Sequence, residues 1–222
     1  MPEDTQKEGG CCGQEADPCP PPKYRNIILI GMPAVGKTTI GRRIAAATAL
    51  TFLDTDRVIE EKMKETLPAL LAAHGTEGFL ALENDICAAI DVCDSIIATG
   101  GSVVYGEDAM RHLSEIGVVV YLKLSYPQLR KRLHAPRERG VVLREGQSLY
   151  DLYRERVPLY EKYADIVIDE RTCYPTQTAE RVYRALRRYG FFRERRQNGK
   201  PLHRSLFSKK AEERKAAENE KQ

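Results

Sequence analysis

Tryptophan is absent from this chain of 222 residues, and aromatic residues of all kinds make up only 7% of it. No run reaches the roughly 18 consecutive apolar residues that a membrane-crossing helix needs, so no membrane association is expected. The N-terminus has no apolar signal core; its opening residues are polar and acidic (Glu3, Asp4, Glu8, Glu15, Asp17). Export through a cleaved peptide is therefore not expected, and a cytoplasmic location is. Cysteine is present, at 11, 12, 19, 87, 93 and 173, but no CxxC pair is. Cys11, Cys12 and Cys19 have poor zinc spacing and sit in Gly- and Pro-rich surroundings, which reads as a flexible segment in a reducing compartment. An excess of one charge is lacking where a nucleic-acid site would need it. The net charge of +3 divides into −3 over residues 1–23, +5 over residues 190–222 and about +1 between them. A nearly neutral middle argues against a nucleic-acid-binding core.

What is present is ordinary for a globular protein: 42% hydrophobic and 30% charged residues. A chain of this length buries roughly 70% of its unfolded surface without help from disulfides or metal. Residues 1–23, with Gly9-Gly10, Gly13 and the prolines at 18 and 20–22, read as a disordered leader. Residues 24–190 read as the folded domain. Residues 191–222 read as a basic, partly helical or disordered tail.

Within the domain, short apolar runs alternate with helical patterns. Strands are expected over residues 25–30, 51–53, 95–98, 118–122 and 166–168. Helices are expected over 38–50, from 56, over 67–74, 78–90, 107–116, 127–133, 149–163 and 176–189. Apolar strands alternating with amphipathic helices predict a parallel sheet covered on both faces. Residues 134–146 are polar, Arg-rich and without periodicity, and read as a loop.

Gly31-Met32-Pro33-Ala34-Val35-Gly36-Lys37-Thr38 matches G-x-x-x-x-G-K-[ST]. A buried strand runs into it and a helix runs out, which is the context the motif requires. Its backbone N–H groups and the helix N-terminus would cradle phosphates. Lys37 would reach the β- and γ-phosphates, and the Thr38 hydroxyl would ligate Mg²⁺. Residues Gly31 to Thr39 are thus the candidate nucleotide site, with ATP and Mg²⁺ as cofactors. Asp54 and Asp56 follow the second strand at the carboxyl edge of the sheet, where ligands bind. They would serve Mg²⁺ or an acceptor hydroxyl, or merely cap the next helix. The third strand ends in Thr99-Gly100-Gly101 and lacks a terminal Asp, so the Asp54/Asp56 pair must supply the acid such sites place there. Arg137, Arg139 and Arg144 in the loop suggest a lid that brings positive charge to the transferring group.

These blocks, with Arg156-Val157-Pro158-Leu159-Tyr160-Glu161-Lys162-Tyr163-Ala164-Asp165, resemble the shikimate kinase family over roughly residues 25–189. The resemblance implies a three-layer α/β P-loop kinase fold with a five-stranded parallel sheet of order 2-3-1-4-5, flanked by helices and carrying a lid loop. It implies that Asp54 holds Mg²⁺ through water and that Asp56 binds the acceptor's hydroxyls as the candidate base. It further implies that Gly100 and Gly101 line the acceptor pocket, that Arg139 contacts the moving phosphoryl group, that Arg156 binds the acceptor's carboxylate and that Arg132 stacks on adenine. Lys37, Asp56 and Arg139 are the expected catalytic residues. Two departures stand out. The family usually reads F-R-x-x-E where this chain has Phe79-Leu80-Ala81-Leu82-Glu83, and three glycines where it has Gly100-Gly101-Ser102. Losing one carboxylate-binding Arg removes a charge-assisted contact of ~1.5–3 kcal/mol. The expected activity is ATP-dependent phosphorylation of a small carboxylate-bearing alcohol by a monomer, with shikimate leading. Homoserine or a sugar acid as acceptor, and a non-catalytic nucleotide-binding regulator, are the alternatives.

Overall fold

The computed structural model describes residues 23, 25–133, 141–144, 146–170, 174–192, 196, 197, 200 and 201. Strand β1 (Asn26–Ile30) is followed by α1 (Lys37–Ala47), β2 (Thr51–Asp54), α2 (Thr55–Met63) and α3 (Leu67–Ala88). Then come β3 (Ser95–Ala98), a 3₁₀ turn (Val103–Tyr105), α4 (Glu107–Ile116), β4 (Gly117–Lys123) and α5 (Tyr126–Arg132). The domain closes with α6 (Leu149–Tyr163), β5 (Ile166–Asp169) and α7 (Pro175–Tyr189), after which Arg196–Gln197 and Lys200–Pro201 form the short pair β6 and β7.

The five main strands are parallel, in the order β2-β3-β1-β4-β5. This is the order the family resemblance implies. Every residue of β1 is buried, because helices cover both sheet faces. Asn26 is the polar exception in that strand. Its amide donates to the carbonyls of Val92 (2.8 Å) and Ile116 (3.0 Å) and accepts from the Ser95 N–H (3.0 Å). It thereby ties the amino ends of the three central strands together. At the edges the sheet is more open: Thr51 on β2 is exposed and Val167 on β5 is 49% exposed.

Two apolar clusters divide the interior. The larger lies between sheet and helices; the smaller gathers Ile59, Leu70, Phe79, Ile86 and Val142 beneath α2 and α3, with Leu80 packed on its margin. The pattern at 67–74 and 78–90 predicted two helices. Both helices form and abut as α3, with a kink between them at Gly75, whose φ of 65° and ψ of −175° no helix interior adopts. Pro158 lies inside α6 and the helix runs on to Tyr163. At its C-terminal side the core reaches past α7. Phe191 (0% exposed) and Phe192 (7%) belong to the core, with Phe192 packed on Tyr183. At the other end Lys23 pairs with Asp165 at 2.7 Å and donates to the Ser114 carbonyl. No helix of the described residues is long and apolar enough to cross a membrane.

Candidate active site

The carboxyl ends of β1, β2 and β3 converge on one cavity of about 540 Å³. Its floor is the turn between β1 and α1. Gly36 ends that turn as the N-cap of α1 with φ 102°, a conformation that favours glycine, and Ala34 is also left-handed at φ 60°. Pro33, Ala34, Gly36, Lys37, Thr38 and Thr39 line the cavity. Gly31 supplies backbone instead, and Met32 and Val35, each 1% exposed, turn into the core. Lys37 is buried, and its ammonium donates to the carbonyls of Gly31 (2.7 Å) and Met32 (3.1 Å). Burial lowers its pKa to about 8, against the opposing pull of Asp56 and other nearby acids.

The acids after β2 divide their work. Asp54 caps α2 by accepting the Asp56 N–H at 3.3 Å, while its other oxygen accepts the Thr38 hydroxyl at 3.0 Å. Capping and site roles therefore coincide in one residue. The Thr38 and Asp54 oxygens are hard donors beside a helix N-terminus. They suit Mg²⁺, which keeps several waters and takes few protein oxygens. Among the described residues no group of three or more His, Cys, Asp or Glu forms a metal cluster. Asp56 faces the cavity, and its pKa is pushed up to about 6, chiefly by burial.

Glu83 was missed in the sequence as a site residue. It is 2% exposed on α3, and its Oε2 has no hydrogen-bond partner. Burial pushes its pKa up to about 7, with the Ser102 side chain and Arg156 opposing. Gly100 explains the close fit: a Cβ there would stand 2.1 Å from Glu83 Oε1 and 3.0 Å from Asp56 Oδ1. Gly100 thus lies behind the cavity wall, while Thr99, Gly101 and Ser102 line it. Ser102 stands where the family's third glycine is usual.

Arg156 comes from α6 and is 1% exposed. Its guanidinium donates to the Val142 carbonyl (3.1 Å) and the Tyr105 hydroxyl (3.3 Å) and lies over the Tyr105 ring. Tyr160, one turn on, donates to the Gly101 carbonyl at 2.5 Å, fixing α6 against β3's end. Arg156 lines the cavity and forms no ion pair with a described carboxylate. Arg132 lines the opposite end, near Val35. The sequence put Leu80 in the wall of this pocket. The structure places it in a neighbouring cavity of about 450 Å³, with Tyr105 and Arg144. Of the lid, Val141 and Val142 are buried against the site, and Arg144 pairs with Glu155 at 2.9 Å. Arg137 and Arg139 lie outside the described residues, as do Cys11, Cys12, Cys19 and Cys173. Cys87 is buried and Cys93 half-buried, consistent with packing roles.

A sequence model of shikimate kinase matches residues 33–187. The chain belongs to the shikimate kinase family. The shikimate kinase of Nitrosococcus oceani is 38% identical over 168 residues, covering 74% of this chain and 88% of the relative. That of Methylococcus capsulatus is 34% identical over 169 residues, covering 75% and 94%. Among solved structures, the shikimate kinase from Acinetobacter baumannii in complex with shikimate superposes with a TM-score of 0.68 at 28% identity, covering 74% of this chain and 94% of that one. The family model thus runs from the turn after β1 into α7, the stretch that holds the cavity's lining residues.

Proposed function

We propose that this member of the shikimate kinase family transfers the γ-phosphoryl group of ATP to a hydroxyl of shikimate, giving 3-phosphoshikimate and ADP. The observation that carries the choice of acceptor is Arg156. A fully buried cation that forms no ion pair with a described carboxylate is costly unless a ligand supplies the anion, and Arg156 faces the same cavity as Asp56 and Lys37. A small acid held by its carboxylate on Arg156 presents its hydroxyls to Asp56. The hydroxyl oxygen attacks the γ-phosphorus as the bond to the ADP oxygen breaks, and the proton passes to the Asp56 carboxylate. Lys37 and the N-terminus of α1 neutralise charge on the phosphates. Thr38 and Asp54 would hold Mg²⁺, which supplies further neutralisation of phosphate charge when bound. Arg132 carries the nucleobase end, and Arg139 is assigned to the lid. A monomer acting in the cytoplasm, with no nucleic-acid or membrane partner, completes the reading.

The test is a coupled ADP-release assay over shikimate, homoserine and sugar acids. Turnover on shikimate is expected, and Arg156→Ala should raise KM for shikimate by one to two orders of magnitude. Robust turnover on another acid alone would reassign the acceptor. Nucleotide binding without any turnover would favour a regulator.

A further inference from the structure

Glu170 is the first residue after β5 and is 2% exposed. Its N–H donates to the Lys123 carbonyl at 2.7 Å, which extends the β4–β5 ladder by one bond and fixes the backbone. Both carboxylate oxygens are used. Oε2 accepts from Arg132 Nη1 at 2.8 Å, and Oε1 accepts the hydroxyl of Thr178, a fully buried residue in the first turn of α7. The same Arg132 Nη1 also donates to the Val35 carbonyl in the phosphate loop at 3.2 Å. One edge of the guanidinium is therefore locked between a buried anion and the loop, while the residue lines the 540 Å³ cavity.

Arg132 is the last residue of α5, a helix of seven residues. A long arginine stem at a helix end has many rotamers to lose. Glu170 removes that freedom in advance. Its own burial is tolerated because Arg132 and Thr178 satisfy both oxygens. We propose that Glu170 is a positioning residue for the nucleotide: it holds the Arg132 guanidinium as a preset platform for the base at the phosphate-loop end of the cavity. This rests on the assignment of the nucleobase end to Arg132. The base would meet a flat, oriented cation at little ordering cost, which is the general advantage of preorganisation.

The test compares ATP with inorganic tripolyphosphate, which carries the phosphates without the base. Both affinities are measured by calorimetry on the full chain with Mg²⁺ and no acceptor, alongside steady-state kinetics. Glu170→Gln keeps the size and removes the charge. It should weaken ATP binding about five- to tenfold, in line with one lost charge-assisted bond, raise KM for ATP, and leave kcat and tripolyphosphate affinity within twofold. Thr178→Val, which leaves the charge in place, should show the same pattern to a smaller degree. In an Arg132→Ala background Glu170→Gln should add nothing. An equal loss for ATP and tripolyphosphate, unchanged ATP binding with a lowered melting temperature, or full additivity with Arg132→Ala would overturn the proposal. A wild type that binds ATP but does not phosphorylate shikimate overturns the acceptor reading while the Glu170 comparison still decides its own case. A wild type that binds no ATP overturns both.

Discussion

At the scale of single residues, the site's chemistry follows from three ionisable groups buried together. Asp56 titrates near 6, Glu83 near 7 and Lys37 near 8. Protonating the carboxylates removes the base, so activity should fall as pH drops through about 6 to 7; the acid limb belongs to Asp56 and Glu83 jointly. Deprotonating Lys37 removes a phosphate-neutralising charge, so activity should also fall above about 8. The profile of kcat/KM is therefore expected to be bell-shaped. That of kcat should extend further on the basic side, because bound phosphates favour the charged lysine. Asp56→Asn should lower kcat by two or more orders of magnitude. An unchanged kcat with a raised KM for ATP would move Asp56 to the nucleotide side. The phosphate-loop residues were legible in the sequence because their geometry is local: one strand, one turn, one helix. Glu83 and Glu170 were not. Each acquires its role by meeting residues distant in the chain, Gly100 in one case and Arg132 in the other, and neither spacing nor periodicity records such meetings.

At the scale of elements, α6 is the piece on which the proposed acceptor binding turns, since it carries both Arg156 and Tyr160. Its start is set by a capping box, in which Ser148 accepts the Asp151 N–H at 3.1 Å and Asp151 accepts from the Ser148 N–H at 3.1 Å. Ser148→Ala should cost about 1 kcal/mol and lower the melting temperature by about 2–4 °C. No change in melting would show that the box contributes nothing to α6. The strands and most helices were legible, because a buried parallel strand is a bare apolar run and a covering helix repeats at 3.6. Element joins were less so. The break between two helices at Gly75 is legible in sequence, but not that they meet across a kink at that residue instead of through a loop. Val103–Tyr105 form a 3₁₀ turn that no periodicity announces, although Tyr105 is what Arg156 leans on.

At the scale of the whole molecule, the core takes in Phe191 and Phe192, which pack inward from a segment otherwise rich in Arg and Lys. A chain trimmed to residues 23–192 should keep the melting temperature and turnover of the full chain. Stopping at 190 instead should cost roughly 3 kcal/mol or more, since two buried rings are lost, seen as a fall of about 6–12 °C. Equal melting of the two truncations would show the rings to be dispensable. The sheet order carries a further consequence, for synthesis on the ribosome. β1 leaves the exit tunnel first, yet it lies between β3 and β4. Asn26 must reach Ser95 across 69 positions and Ile116 across 90. Until those partners emerge, the nascent chain exposes Asn26-Ile27-Ile28-Leu29-Ile30 with both edges unpaired, a segment suited to chaperone capture or to aggregation. ATP can reward folding only after β4 is translated, so β1 must wait for both of its partner strands before the domain's own substrate can help hold it in place.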